Sequence, residues 1–229
     1  MRLDSRRGRS DLNTRSYNGP AVKAAFLAVV AMWSLGMLDS VAAEVRQIGS
    51  AQNAIGVLVV VRADGVQERL QGEGSLLLYE GDVLRTESAC RALVEITDGV
   101  QIALNELTMF KMLVRWEKHK PIIPILRMSR GEIWVKTGGG SRAVEVETSV
   151  ANVSARESEF DLKVSEDGQT ALTVIQGVAE FGTPFDTCSV MAANATSSIR
   201  GKPCKKTPAA DSAPTIAWTN PLLNAPASK

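Results

Sequence analysis

An all-β domain is the fold class this 229-residue sequence predicts, and three observations predict it. Asp-Gly pairs at 64–65, 98–99 and 167–168 each separate two apolar runs. Short β-branched segments recur at roughly ten-residue spacing, the density of a sandwich, a barrel or a rolled, solenoid-like stack. Helical spacing is hard to find after residue 43, and the stretch 106–116 is where any shows.

Composition narrows the function classes. At 45% hydrophobic and 22% charged residues, the chain has enough apolar content to bury a core rather than stay disordered. Lys and Arg number 26 against 25 Asp and Glu, so bulk charge gives no reason to expect a nucleic-acid partner. There is one histidine, His119. That argues against His-based metal sites, Ser-His-Asp triads and Cys-His pairs, which need histidine beside a particular partner.

The first element is an address. Residues 1–23 hold six basic side chains against Asp4 and Asp11, a net of +4. Ala24 to Leu38 is an uncharged, mostly apolar run, and Val41-Ala42-Ala43 follows it. A basic leader, a short apolar stretch and small residues before a cut between Ala43 and Glu44 predict a secretory signal peptide over 1–43. Such a run spans about 22 Å as helix, short of the ~30 Å hydrocarbon core, which favours cleavage. The rival is an uncleaved signal anchor that holds the protein in the inner membrane by residues 24–38, basic side in the cytoplasm. Either way the remaining chain is expected to work outside the cytoplasm, periplasmic or secreted.

Strands come next. Ile55–Val61 stops at the first Asp-Gly, Cys90–Ile96 runs into the second, and Val100–Leu104 leaves it. Phe160–Val164 alternates cleanly up to the third, followed by Thr170–Ile175, Gly177 and Val178–Phe181. Asp-Gly between such runs predicts hairpins with positive φ at both central residues. The all-β domain is placed at 44–200. Beyond it, residues 201–229 turn rich in Pro, Ala, Thr and Lys and are expected to be a disordered tail, with Trp218 and Leu222-Leu223 its one apolar spot. Of the three cysteines, Cys188 and Cys204 are the candidate disulfide, leaving Cys90 free.

The order of motifs resembles the FecR domain, the family named for the ferric citrate regulator. Glu80-Gly81-Asp82-Val83-Leu84-Arg85-Thr86 is similar to its first element, and Ala92 to Gly99 to its strand and Asp-Gly turn. Arg127 to Val135, Thr148 to Val164 and Val174 to Ala179 resemble the next three in the family's order. The resemblance spans roughly 45–200 and implies an exported all-β interaction module without enzymatic activity. Two departures stand out. Glu157-Ser158 replaces the family's Gly-Thr before Phe160, so that turn is expected to be remodelled. The 23 residues before the apolar run are too few for the cytoplasmic anti-sigma region of the sigma-regulating members.

Candidate chemistry is thin. The segment Lys111 to Lys120 is basic with an interleaved aromatic and reads first as a hairpin edge kept soluble by lysines; if it binds, Arg115, Trp116, Lys118 and Lys120 are its candidate binding residues. Glu145 and Glu147 share a strand face, a pattern that raises glycoside hydrolysis, but no second acid motif accompanies them. No catalytic residue, metal ligand or cofactor is expected. The reading is a non-enzymatic cell-envelope protein that binds an envelope protein or an extracytoplasmic ligand, in surface signalling or iron-uptake regulation. The alternative is a structural module that binds cell-wall polysaccharide. A membrane contact is expected only if the signal segment stays uncleaved.

Overall fold

One line of breaks across neighbouring strands shapes this protein. The computed structural model describes residues 46–96, 99–115, 123–139, 143–208 and 216–224. Strand β1 (Gln47–Val61) forms a long hairpin with β2 (Gln67–Tyr79). Along its other edge lie two short strands end to end, β3 (Val83–Thr86) and β4 (Arg91–Ile96). Strand β5 (Val100–Leu104) pairs with β4 and β6 (Met109–Arg115) with β3, again end to end. Strand β7 (Ile123–Lys136) is long and spans both, its first half on β6 and its second on β5. The hydrogen-bonded circuit β1–β3–β6–β7–β5–β4 is thereby closed, as in a barrel.

The breaks fall at one level. Leu58 pairs with Thr86 and Ile55 with Arg91, so the bulge of β1 faces the gap between β3 and β4. Across the next strands the gap 105–108 faces Gly131 of β7. Ala89, Leu107 and Gly131 take positive φ in these corners (60°, 56° and 97°). Buried Thr86 and Thr108 staple them: the Thr86 hydroxyl donates to the Asn105 carbonyl at 2.6 Å, and Thr108 Oγ1 accepts the Glu132 amide at 3.0 Å. A sheet bent along one line can fold over onto itself.

Each half then continues outward from β7. The first half adds β8 (Val144–Glu147), parallel to β7, then β9 (Asn152–Ala155), β12 (Val178–Gly182) and β13 (Thr187–Met191). The second adds β10 (Glu159–Val164), β11 (Thr170–Gln176), β14 (Asn194–Ser198) and β15 (Lys205–Pro208). Their inner faces meet in one core that joins Leu58, Phe110, Leu126 and Phe181 to Ile102, Ile133, Phe160 and Leu172. Apart from β7–β8 every pairing is antiparallel. The all-β class and its rolled architecture are as the sequence predicts, and Met109–Arg115, within the stretch where helical spacing showed, is strand rather than helix.

The Asp-Gly hairpins form where expected, but the two whose turns are described take a different turn; Asp98, in the third, lies outside the described residues. In β1–β2 the Arg62 amide bonds the Val66 carbonyl and the Gly65 amide the Arg62 carbonyl, and β10–β11 repeats this with Ser165, Gly168 and Gln169. These are three-residue loops with Gly alone in the left-handed region, since Gly65 and Gly168 have positive φ while Asp64 and Asp167 do not. The aspartates cap instead: Asp64 Oδ1 accepts the Val66 amide and Asp167 Oδ1 the Gln169 amide. Hydrogen bonds from Ser165 and that amide hold the Asp167 carboxyl below the usual carboxylate range.

Glu157 corrects a second expectation. It has not been remodelled out of the left-handed region; its φ is 51°. Ser158 holds it there, donating its hydroxyl to the Val178 carbonyl at 2.7 Å, while its amide bonds Thr137 Oγ1 at 2.7 Å. The turn bears the strain of a side chain at positive φ, about 1–2 kcal/mol.

Candidate functional site

The alternation that sends Phe160, Leu162 and Val164 inward leaves Glu159, Asp161 and Lys163 on the outer face of the second half. Cross-strand register places Asp161 beside Trp134 of β7, Trp134 beside Ala103 of β5, and Ala103 beside Leu93 of β4. The row Leu93–Ala103–Trp134–Asp161 therefore crosses four strands on one face. Its apolar members are buried, Trp134 to 2% exposure. An outer sheet face is ordinarily polar.

What covers it is the chain's own C-terminal segment. Ile216 leads into a 3-10 turn (Ala217–Thr219) and a helical turn, α1 (Asn220–Leu223), with Pro221 in its first turn. Leu222 packs into Leu93, Ala103 and Trp134, and Ile175, Ile216 and Trp218 close the rim. This corrects the expected disordered tail: 205–208 form a strand, and 216–224 fold onto the sheet. Averaged composition hid the reason, because three apolar residues suffice when a sheet supplies their other half. In the sequence Trp218 and Leu222 were legible only as part of an apolar spot, and Ile216 did not stand out.

The charges around the row are paired, with one exception. Trp134 Nε1 donates to Glu159 Oε1 at 3.0 Å, Lys136 lies 3.8 Å from Glu159, and Lys163 lies 3.7 Å from Glu132. Asp161 is 4% exposed, and its Oδ1 has no hydrogen-bond partner. Burial, reinforced by Glu132 and opposed by Lys163, pushes its carboxyl well above the usual range. A carboxyl raised in the folded state binds more protons there than when unfolded. Stability is thus expected to fall as pH rises from about 4 towards the folded value. Asp161→Asn is expected to flatten that decline, read as the dependence of the urea midpoint on pH.

The basic segment is described only at its start. Arg115, at the end of β6, donates Nη1 to Glu145 Oε1 at 2.5 Å, and Arg127 donates Nε and Nη2 to Glu147 Oε2 at 3.0 and 2.9 Å. Trp116, Lys118 and Lys120 lie outside the described residues, as do Ala43 and Glu44. Glu145 and Glu147 share a face as expected, but each is engaged by an arginine.

Cys188 and Cys204 are joined in a disulfide, with Cα atoms 6.4 Å apart. It ties β13 to the strand entering β15. Asp186 braces the junction, accepting the Thr183 hydroxyl at 2.6 Å and the Cys204 amide at 3.0 Å, and these bonds hold its carboxyl below the usual range. Asp186, Cys188 and Cys204 lie close enough to suggest a metal site, yet both sulfurs are spent in the bond. Reducing the disulfide is expected to cost about 3 kcal/mol for a loop of this length, measured by urea unfolding with and without reductant. Cys90 is free and buried, its sulfur accepting the Val57 amide at 3.3 Å, so its role is packing.

Fold and surface define the class: a folded-over β-sheet whose outer face takes up an apolar segment. Residues 82–180, from the start of β3 into β12, match the family described as FecR protein. The match bears out the resemblance and is narrower at both ends than the 45–200 span given to it. No curated protein matches the chain. Two crystal structures of a candidate anti-sigma factor from Parabacteroides distasonis are similar to it, with TM-scores of 0.50 and 0.51 at 17% identity. Each alignment covers 60% of this chain and 64% of the solved one, and at that identity the likeness shows the fold.

Proposed function

We propose that this protein is a non-enzymatic, exported FecR-type interaction module of the cell envelope, acting as a regulatory binding partner in surface signalling. The observation that carries this reading is the buried apolar row on the outer face. Leu93, Ala103, Trp134 and Ile175 all belong to the FecR span, and they form a surface suited to contact with protein rather than water. The basic leader with its apolar run, the Ala43–Glu44 junction and the disulfide support export. Relatives in fold described as anti-sigma factors support a regulatory role, and an uptake system, including one for iron, is the setting the family suggests.

The test is fractionation of a C-terminally tagged protein with N-terminal sequencing, followed by pull-down from envelope extracts. A periplasmic species that begins at Glu44 and captures a defined envelope protein is the expected result. Recovery in the cytoplasm, or co-sedimentation with insoluble wall in place of protein capture, would overturn the reading.

A further inference from the structure

Three features of the covered row go beyond a purely structural contact. The cover is short, a 3-10 turn of three residues and a helical turn of four, too little backbone to keep its shape undocked. The fit leaves polar atoms behind: Trp218 Nε1 is buried without an acceptor and Asp161 Oδ1 without a donor, whereas buried polar groups are as a rule paired. The third feature is charge. On the outer faces of β7 and β10, Lys136 lies by Glu159 and Lys163 by Glu132, and among the described residues no cation forms an ion pair with Asp161. Residues 216–224 hold no charged side chain and cannot supply one.

We infer that the row Leu93–Ala103–Trp134–Asp161 is a docking site for a short apolar helical segment of a partner protein that carries a lysine or arginine beside its apolar residues, and that residues 216–224 are a resident stand-in which that segment displaces. The apolar side chains of the ligand take the place of Leu222 on Leu93, Ala103 and Trp134. Its cation meets the Asp161 carboxylate, an ion pair in a water-poor setting that the resident segment cannot make. The resident segment keeps the apolar row from water until the partner arrives. This inference rests on the reading of the row as a protein-contact surface, and on nothing about where the protein resides.

The test uses the full chain and the double variant Trp218→Ser/Leu222→Ser, which loosens the resident segment without adding a charge. Fluorescence anisotropy follows labelled peptides: residues 216–224 as they stand, and the same peptide with a lysine added at either end. The double variant is expected to bind the plain peptide at least tenfold more tightly than the unaltered chain. One of the lysine peptides is expected to bind at least fivefold more tightly still, and Asp161→Asn in the same background is expected to abolish that gain. No binding of any peptide by a folded double variant would overturn the contact surface itself. Plain-peptide binding without a lysine gain, or a gain that survives Asp161→Asn, would overturn the inference alone. Should the double variant fail to fold by circular dichroism, the unaltered chain decides: a lysine peptide is expected to speed amide exchange across 216–224 at least tenfold, and unchanged exchange would overturn it.

Discussion

Replacing Phe160 by alanine is expected to cost the domain about 3–5 kcal/mol. The ring is fully buried in the single core that joins the two halves of the folded sheet. Its strand, β10, sits between β7 and β11, so little backbone can close in on the space left behind. Urea unfolding should show a lower midpoint with an unchanged slope, the sign that stability fell without a change in the surface exposed. Phe160→Leu, which keeps most of the volume, should recover much of the loss. A cost below about 1 kcal/mol for Phe160→Ala would mean that the halves do not share a core.

Gly131→Ala is expected to lower stability by about 2–5 kcal/mol, the sum of the left-handed penalty and a forced overpacking. A Cβ at this position would lie 2.3 Å from the Thr108 Cα, and backbone on both sides of the corner cannot move aside cheaply. The residue also has a φ of 97°, which an alanine tolerates poorly. Gly139→Ala is the control: its Cβ would meet nothing within 4 Å, and the change should stay within about 0.5 kcal/mol. Equal effects at the two positions would remove Gly131 from the line of corners that folds the sheet.

Much of the fold was legible because strands announce themselves locally. Phe160-Asp161-Leu162-Lys163-Val164 alternates, and the alternation is the same one that buries Phe160, Leu162 and Val164. Turn residues were legible too, since Gly65 and Gly168 must take positive φ wherever the loop length falls. The turn type was not, because Asp64 and Asp167 can cap a three-residue loop as well as they can occupy a two-residue one. Glu157 misled for a related reason. A side chain at positive φ is costly, but Ser158 and its partners compensate from strands far along the chain, and only the assembled fold contains them.

The site was the least legible part. Asp161 reads as one polar residue in an alternating strand, no different from Glu159 or Lys163, and nothing local marks it as buried. Arg115 and its basic neighbours drew attention because charge clusters are visible in one dimension, whereas a row such as Leu93–Ala103–Trp134–Asp161 draws one residue from each of four strands. The sequence by itself determined the all-β class, the three hairpins, the candidate cysteine pair and the FecR motifs, since each depends on neighbours a few residues apart or on their order. Tertiary structure alone decided that the sheet folds along one line of breaks, that the tail returns to cover an apolar row, and that one carboxyl is left there unpaired. Those outcomes depend on cross-strand register, which joins residues that the chain keeps far apart.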